Sequence, residues 1–313
     1  MDIKVIIDLI KVALENGFAY GVLALGVYVT YSILDFPDLS VDGTVPLGAT
    51  VSAVLILQGM NPWLSCLIAF LAGAAAGCVT GLLHVKLHIR PLLCGILVMT
   101  ALLSINLMVM MQGTGGMSTA ALYNFPTIVK AFPVGLIPEN IHGYKLRIVV
   151  VTLALAVLCK LLMDGYLKTK SGLLLRAAGS NEQFVTMLAR NPGVSKILGL
   201  AIGNGLAALA GAILTHNKGS ADLQMGQGMV VIGLASVIIG TSMFRGFRWM
   251  KDTTKVIFGA LIYSACLQVA LAFGLPSSLL KLLQAVLFVL ALVCTDMLDG
   301  GLHKRAKAVK GGR

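Results

Sequence analysis

The side chains able to bind metal are few in this sequence, and they are scattered. His84 and His88 are four residues apart and could share one helix face, but Lys86 and Arg90 beside them favour a basic edge at a membrane surface. All six cysteines lie in apolar runs without a CxxC spacing, so we expect small buried thiols. The remaining histidines are interpreted as isolated loop residues: His142, His216 and His303. These patterns predict no metal site and no catalytic residues.

The absence of one dipeptide excludes the commonest phosphate-binding loop of nucleotide-hydrolysing proteins. That motif requires Gly-Lys before Ser or Thr, and the sequence contains no Gly-Lys pair. We therefore expect no cofactor in this chain, and any ATP with its Mg²⁺ would be bound by a partner protein. An intramembrane transferase acting on lipid stays open as an alternative, although it would need a cluster of convergent reactive groups.

Three carboxylates lie close together between two apolar runs, in the segment from Leu34 to Gly43. Asp35, Asp38 and Asp42 would be costly against lipid, so each must meet water, a cation or polar backbone. They could serve a gate or contact a partner. Alternatively they mark a turn, because Pro, Asp and Gly favour turns.

Other polar residues occur singly within the apolar runs and are candidates for a translocation pathway. An interhelical hydrogen bond is the alternative role for each of them. With the three carboxylates, the candidate pathway comprises Asp35, Asp38, Asp42, Asn106, Asn204, Ser236 and Gln268.

The long polar segment 164–193 contains a predicted short helix. Ser180 and Gln183 have the spacing of a capping box, and Asn191-Pro192-Gly193 is a stop signal, which together predict a helix over 181–190. One face of it would be apolar, since three apolar residues recur at helical spacing: Phe184, Met187 and Leu188. Such a face packs under its own protein or enters a groove on another, unless the segment is a solvated connector.

Composition requires a membrane for these elements. The 313 residues are 58% hydrophobic and 12% charged, with a mean hydropathy of +0.91, far from an ordinary soluble domain. The net charge of +11 comes from cations in short gaps without interleaved aromatic residues, so no nucleic-acid partner is expected. We predict one all-α transmembrane domain over residues 1–313, embedded in a lipid bilayer.

About nine transmembrane helices are predicted, at about twenty residues for each full crossing. The long apolar runs are 17–34, 62–84, 91–111, 146–163, 194–215, 254–274 and 277–297. Two shorter runs are 44–59 and 226–243, and an interfacial helix is predicted over 3–14.

Lys and Arg in alternate gaps predict the orientation. Segment 164–193 and the basic tail 303–313 would be cytoplasmic, and 112–145 would be extracytoplasmic. Nine crossings then leave the N-terminus outside and the C-terminus inside. Runs 44–111 and 226–297 would start from opposite sides, which is the geometry of an inverted repeat.

Two segments carry a resemblance to a known family. Gly172-Leu-Leu-Leu-Arg176-Ala-Ala-Gly179-Ser-Asn181 with the following helix, and Leu234-Ala235-Ser236-Val237-Ile238-Ile239-Gly240-Thr241, resemble the permease subunit of bacterial ABC importers. The relevant branch includes the branched-chain amino acid and ribose permeases. The segment Leu34-Asp35-Phe36-Pro37-Asp38-Leu39-Ser40-Val41-Asp42-Gly43 is similar to the tryptophan or tyrosine permease subgroup.

The resemblance implies a function and partners. It implies a non-catalytic subunit in the bacterial cytoplasmic membrane that imports a small solute, with an aromatic amino acid as first expectation. It also implies a second permease copy, a cytoplasmic ATP-binding cassette ATPase and an extracytoplasmic solute-binding protein. The implied ATPase-coupling residues are Gly172, Arg176, Gly179, Ser180, Asn181, Glu182, Phe184, Met187, Leu188 and Arg190. A secondary transporter independent of ATP stays open, although it would usually need an ionisable relay.

Overall fold

The computed structural model describes residues 3–131, 147–187, 189–247, 249–274, 276, 279–293 and 295. The helices in the first half of the chain are α1 (Ile3–Val27, continued by a π-helical turn, Tyr28–Ile33), α2 (Val41–Leu57), α3 (Pro62–Leu87), α4 (Pro91–Thr114), α5 (Ile128–Ala131) and α6 (Arg147–Tyr166). The second half contains α7 (Lys170–Ser180), α8 (Glu182–Met187), α9 (Pro192–Lys218), a 3₁₀ turn (Leu223–Gly226), α10 (Met229–Met243), α11 (Asp252–Ala272) and α12 (Leu280–Val293). Two short strands, β1 (Thr119–Ala121) and β2 (Ser220–Asp222), pair antiparallel.

The all-α membrane fold is confirmed, but the expected count of nine full crossings is not. Within the described ranges, seven helical segments are long and apolar enough to cross a membrane, and α2 and α12 are shorter apolar helices. The run 226–243 was expected to be short, but with its 3₁₀ turn it forms a span, Leu223–Met243. The expected interfacial helix over 3–14 is continuous with the first span as α1.

Helix starts follow the local sequence. The Asn61 side chain accepts a hydrogen bond from the Trp63 amide at 3.0 Å, and Pro62 occupies the first helical position of α3. Asn191 caps α9 in the same way at 2.8 Å from the Gly193 amide, with Pro192 first in the helix. The predicted stop at Asn191-Pro192-Gly193 is thus also the start signal of the next span.

Two central helices, α1 and α9, cross at small residues. A Cβ on Gly26 would lie 2.5 Å from the Gly203 carbonyl oxygen, so the two backbones approach directly. Helix α1 packs most extensively against α11, and besides α9 it also contacts α6 and α10, whereas α9 packs mainly against α3 and α2. Helices α10 and α11, which follow α9 in the chain, thus pack on α1, and helices α2 and α3, which follow α1, pack on α9. This exchange agrees with the expected inverted repeat.

Helix α3 approaches α9 along a glycine ridge. A Cβ would lie 2.6 Å from the Asn204 carbonyl oxygen at Gly73 and 2.3 Å from the Leu200 carbonyl oxygen at Gly77. This ridge therefore serves packing within the chain, where larger side chains would separate the helices.

Parts of the predicted loops lie outside the described residues. In segment 112–145 the structure describes the end of α4, strand β1 and α5, and residues 132–145 are outside the described ranges. The basic tail 303–313 is outside them as well.

Candidate functional site

A break separates α1 from α2; it holds Asp35 and Asp38, and the third acidic candidate, Asp42, follows in the first turn of α2. The backbone leaves the helix at residues 34–40, where Asp35 adopts φ +53°, a conformation that Asp tolerates better than most residues. The Asp35 side chain is exposed, while Asp38 is only 6% exposed. The break is therefore an ordered segment, and the three carboxylates have separate environments.

Asp38 forms the centre of a polar cluster with α9. Asn204, halfway along α9, donates from Nδ2 to Asp38 Oδ2 at 2.7 Å, and the Ser40 amide donates to Asp38 Oδ1 at 2.8 Å. The hydroxyls of Ser40 and Thr44 donate to Asn204 Oδ1 at 3.1 and 2.6 Å. Neutral groups thus solvate a buried carboxylate that would otherwise carry a large desolvation penalty.

Asp42 joins the first turn of α2 to the start of α10. Its Oδ1 accepts from the Val230 amide at 2.8 Å and its Oδ2 from the Gly228 amide at 3.2 Å. Those amides belong to the N-terminus of α10, where a carboxylate satisfies free N–H groups and opposes the positive end of the helix dipole. Two short helices therefore meet at their N-termini, with Asp42 between them.

The other pathway candidates divide into two groups. Asn106 of α4 donates from Nδ2 to the Gly43 carbonyl oxygen at 3.0 Å, so it joins the cluster around the start of α2. Ser236 donates only within α10, to the Ile232 carbonyl oxygen at 2.7 Å, and Gln268 lies in α11. The structure thus brings Asp38, Asp42, Asn106 and Asn204 together, and leaves the others apart. Sequence reasoning missed Ser40 and Thr44, which have no distinguishing signal beyond the neighbouring aspartates.

The segment 164–193 contains two helices, α7 and α8, where one was predicted. Helix α8 covers only Glu182–Met187, and its cap is Asn181, whose Oδ1 accepts from the Phe184 amide at 3.2 Å. The predicted helix is therefore present but shorter than the expected range 181–190, and the prediction of Ser180 as its cap was wrong. Ser180 instead ends α7 and donates to the Ala177 carbonyl oxygen. Asn181 is the better cap because its extended backbone separates the two helices.

Close contacts hold α7 against the end of α1. A Cβ on Gly179 would lie 1.8 Å from the Ile33 carbonyl oxygen, and one on Gly172 would lie 2.3 Å from that of Tyr166. Arg176 is exposed on α7. Gly179 therefore lets α7 lie directly against the π-helical turn that ends α1, and Gly172 lets it lie against the end of α6.

Helix α8 presents part of its expected apolar face to solvent. Phe184 is 52% exposed and Met187 83% exposed, whereas Val185 is buried. Leu188 lies outside the described residues, and Arg190 is exposed after the helix. Phe184 and Met187 therefore form an apolar surface that the described part of the chain leaves exposed.

His216 is not the isolated loop residue expected. It lies in the last turn of α9, 3% exposed, where its Nδ1 accepts from the Ile128 amide at 3.4 Å. Nε2 therefore carries the proton and donates to Ser52 Oγ at 3.1 Å, so His216 cannot act as a base towards that hydroxyl. Ser52 contacts Ser65 at 3.1 Å, and the three residues join α9, α2 and α3. Among the described residues, no group of three or more His, Cys, Asp or Glu could hold a metal ion.

A family model for the permease component of branched-chain amino acid transport systems matches residues 11–292. The chain belongs to this family. The permease is 41% identical over 291 residues to a tyrosine transport system permease protein of Clostridioides difficile, covering 93% of this chain and 92% of that protein. It is 26% identical to the fructose import permease of Bifidobacterium longum, covering 90% and 75% of the two chains. Identity to the ribose import permease of Haemophilus influenzae is also 26%, covering 93% and 85%. No solved structure matches the permease.

Family membership places the permease among the transmembrane subunits of ABC importers. The resemblance found in the sequence is therefore confirmed at the level of the family. The permease is a multi-pass membrane protein, in agreement with the seven candidate spans among its described residues.

Proposed function

We propose that the permease imports an aromatic amino acid, with tyrosine as the first candidate, driven by ATP hydrolysis on a partner ATPase. The C. difficile relative supports the substrate class, because it is a tyrosine transport system permease protein and the similarity covers more than nine-tenths of both chains. In this proposal the permease itself is non-catalytic. ATP and Mg²⁺ are bound by the ATPase, and a separate solute-binding protein delivers the amino acid from outside.

One observation carries the ATPase part of the proposal. Helix α7 packs against the end of α1 at Gly179 and Ile33, while Phe184 and Met187 of the neighbouring α8 are exposed among the described residues. An exposed apolar pair on a short capped helix suits a groove on a partner protein. The coupling surface in this proposal comprises Gly172, Arg176, Gly179, Ser180, Asn181, Glu182, Phe184, Met187, Leu188 and Arg190.

The break after α1 supports a transport mechanism. Transporters commonly use discontinuous helices near the middle of the membrane, where the helix ends can move relative to each other. Here the break lies between α7 on one side and the cluster of Asp38, Asp42, Asn106 and Asn204 on the other. Closure of the ATPases would press on α8 and α7, shift the break, and thereby alternate access on the two sides.

The assembly and its orientation follow from the same proposal. Two copies of the permease would form a homodimer with two ATPases, in the bacterial cytoplasmic membrane. Segment 164–193 and the C-terminus would be cytoplasmic, and the N-terminus would lie outside. One contact supports this arrangement: α1 and α9 run antiparallel, with Gly26 beside Gly203 and Leu34 beside Gly199.

A secondary transporter is the second candidate, and Asp38 is the observation that favours it. A buried intramembrane carboxylate with only neutral hydrogen-bond partners could exchange a proton during transport. Uptake into vesicles that lack ATP but have an inward proton gradient would support this candidate and contradict the ATP-driven one.

The decisive experiment compares two double variants. Phe184→Asp with Met187→Asp should abolish co-purification of the permease with the ATPase encoded beside it, and with it the stimulated ATPase activity. The control is Phe247→Asp with Trp249→Asp in the connection between α10 and α11, where the two side chains are 49% and 83% exposed. We expect this control to co-purify normally. Equal behaviour of the two variants would contradict docking at α8.

A further inference from the structure

A chain of side-chain contacts connects α8 to the break between α1 and α2. Glu182, the first residue of α8, forms an ion pair through Oε1 with the ammonium group of Lys196 in α9. The Lys196 ammonium also lies 3.4 Å from Nε2 of His84, near the end of α3. His84 in turn contacts Phe36 of the break, with ring centroids 5.2 Å apart in an edge-on arrangement.

The protonation state of His84 follows from its second hydrogen bond. Nδ1 lies 2.8 Å from the Ile89 carbonyl oxygen, which can only accept, so Nδ1 carries the proton. Nε2 is then a lone-pair acceptor and takes a hydrogen bond from the Lys196 ammonium. Each contact has one compatible donor and one compatible acceptor, which gives His84 a single orientation against Phe36.

Burial makes Lys196 the connecting element. The side chain of Lys196 is only 15% exposed, whereas that of Glu182 is 56% exposed. A charge so enclosed depends strongly on its carboxylate partner, because solvent screens it poorly. Movement of Glu182 with α8 therefore shifts the position that Lys196 prefers, and His84 and Phe36 must respond.

We propose that Lys196 and His84 are positioning residues that transmit the movement of α8 to Phe36, and so to the break that carries Asp38 and leads into Asp42. This inference rests on the proposed function, since it requires an ATPase that moves α8. It adds a second route to the direct contact between Gly179 and Ile33. Neither Lys196 nor His84 belongs to the coupling surface, so substitutions at these two residues should separate ATP hydrolysis from transport.

The test uses the permease with its ATPase and binding protein in proteoliposomes, and measures tyrosine uptake and ATP hydrolysis together. Lys196→Met and His84→Leu should leave ATPase co-purification at the native level and lower uptake per ATP roughly five- to tenfold, the low end of the range for coupling between two sites. Lys86→Met is the matched control, an exposed lysine two residues from His84, and should behave as the native protein.

Rescue distinguishes transmission from simple damage. His84→Asn can donate to the Ile89 carbonyl and accept from Lys196, so it should recover much of the uptake lost in His84→Leu. Lys196→Arg keeps a cation beside Glu182 and should exceed Lys196→Met in uptake per ATP. Unchanged uptake per ATP in Lys196→Met and His84→Leu would overturn the inference.

A direct readout of the break completes the test. Pro37 is exposed beside Phe36, so a cysteine there, with the native cysteines replaced, reports access of a thiol reagent. Its labelling rate should change when the ATPases bind ATP, and Lys196→Met should reduce that change. A full change in the Lys196→Met background would overturn the proposal. Failure of the native permease to bind the ATPase at all would instead contradict the proposed function.

Discussion

The Nδ2 atom of Asn204, at the middle of α9, donates a hydrogen bond to Oδ2 of Asp38 at 2.7 Å. The two residues are 166 positions apart in the sequence. Both side chains are buried, and neither has a charged partner in this cluster. The pair therefore fixes the break between α1 and α2 to a central helix by neutral hydrogen bonds alone.

Loss of Asn204 should release this break. Asn204→Leu removes the donor to Asp38 and the acceptor of Ser40 and Thr44, and each unsatisfied buried group costs about 1–3 kcal/mol. We expect a lower unfolding temperature in detergent and a strong loss of uptake. Ser236→Ala is the control, because its hydroxyl bonds only within α10. Similar unfolding temperatures for the two variants would contradict the role of Asn204.

Asp42 should determine the stability of the first turn of α10. Asp42→Ala removes the acceptor of the Gly228 and Val230 amides, and loss of such a cap costs about 1 kcal/mol. Asp42→Asn should retain part of the stabilisation by the cap, because Asn also caps helices. Hydrogen exchange at residues 228–231 provides the measurement, with faster exchange expected in Asp42→Ala. Unchanged protection there would show that α10 does not depend on Asp42.

The glycine ridge of α3 should not tolerate even a methyl group. A Cβ at position 77 would lie 2.3 Å from the Leu200 carbonyl oxygen, so Gly77→Ala forces α3 away from α9 at a cost of about 1–3 kcal/mol. Gly165→Ala in α6 meets nothing within 4 Å and should be neutral or stabilising. Thermal unfolding of the two variants is the measurement. Destabilisation by Gly165→Ala alone would contradict the packing described for α3.

The contact between His216 and Ser52 should be structural. Ser52→Ala leaves the Nε2 proton of His216 without its acceptor in a buried site, which costs about 1–3 kcal/mol. We expect a lower unfolding temperature, while uptake per ATP stays at the native value because this contact is remote from α8. A selective loss of uptake in a fully stable Ser52→Ala protein would instead assign this contact to the transport mechanism.

The class of protein and the approximate positions of the long apolar helices can be read from the amino-acid sequence. Apolar runs of membrane length, and start signals such as Asn191-Pro192, are local, so they can be recognised without tertiary structure. The same holds for α8, which was expected from its apolar spacing, although Ser180 and Asn181 competed as caps and only the backbone separated them. The family resemblance was readable for the same reason, since its motifs are continuous segments.

Tertiary structure alone decided which polar residues act together. Asp38 with Asn204, and Asp42 with Val230, are separated by 166 and 188 residues, and no local pattern encodes such pairs. His216 was misplaced because its partner Ser52 is 164 residues away. A buried polar group must find a hydrogen-bond partner, but the sequence does not state which one. Because α2 packs on α9 and α10 packs on α1, the tertiary structure provides those partners and so assembles the site.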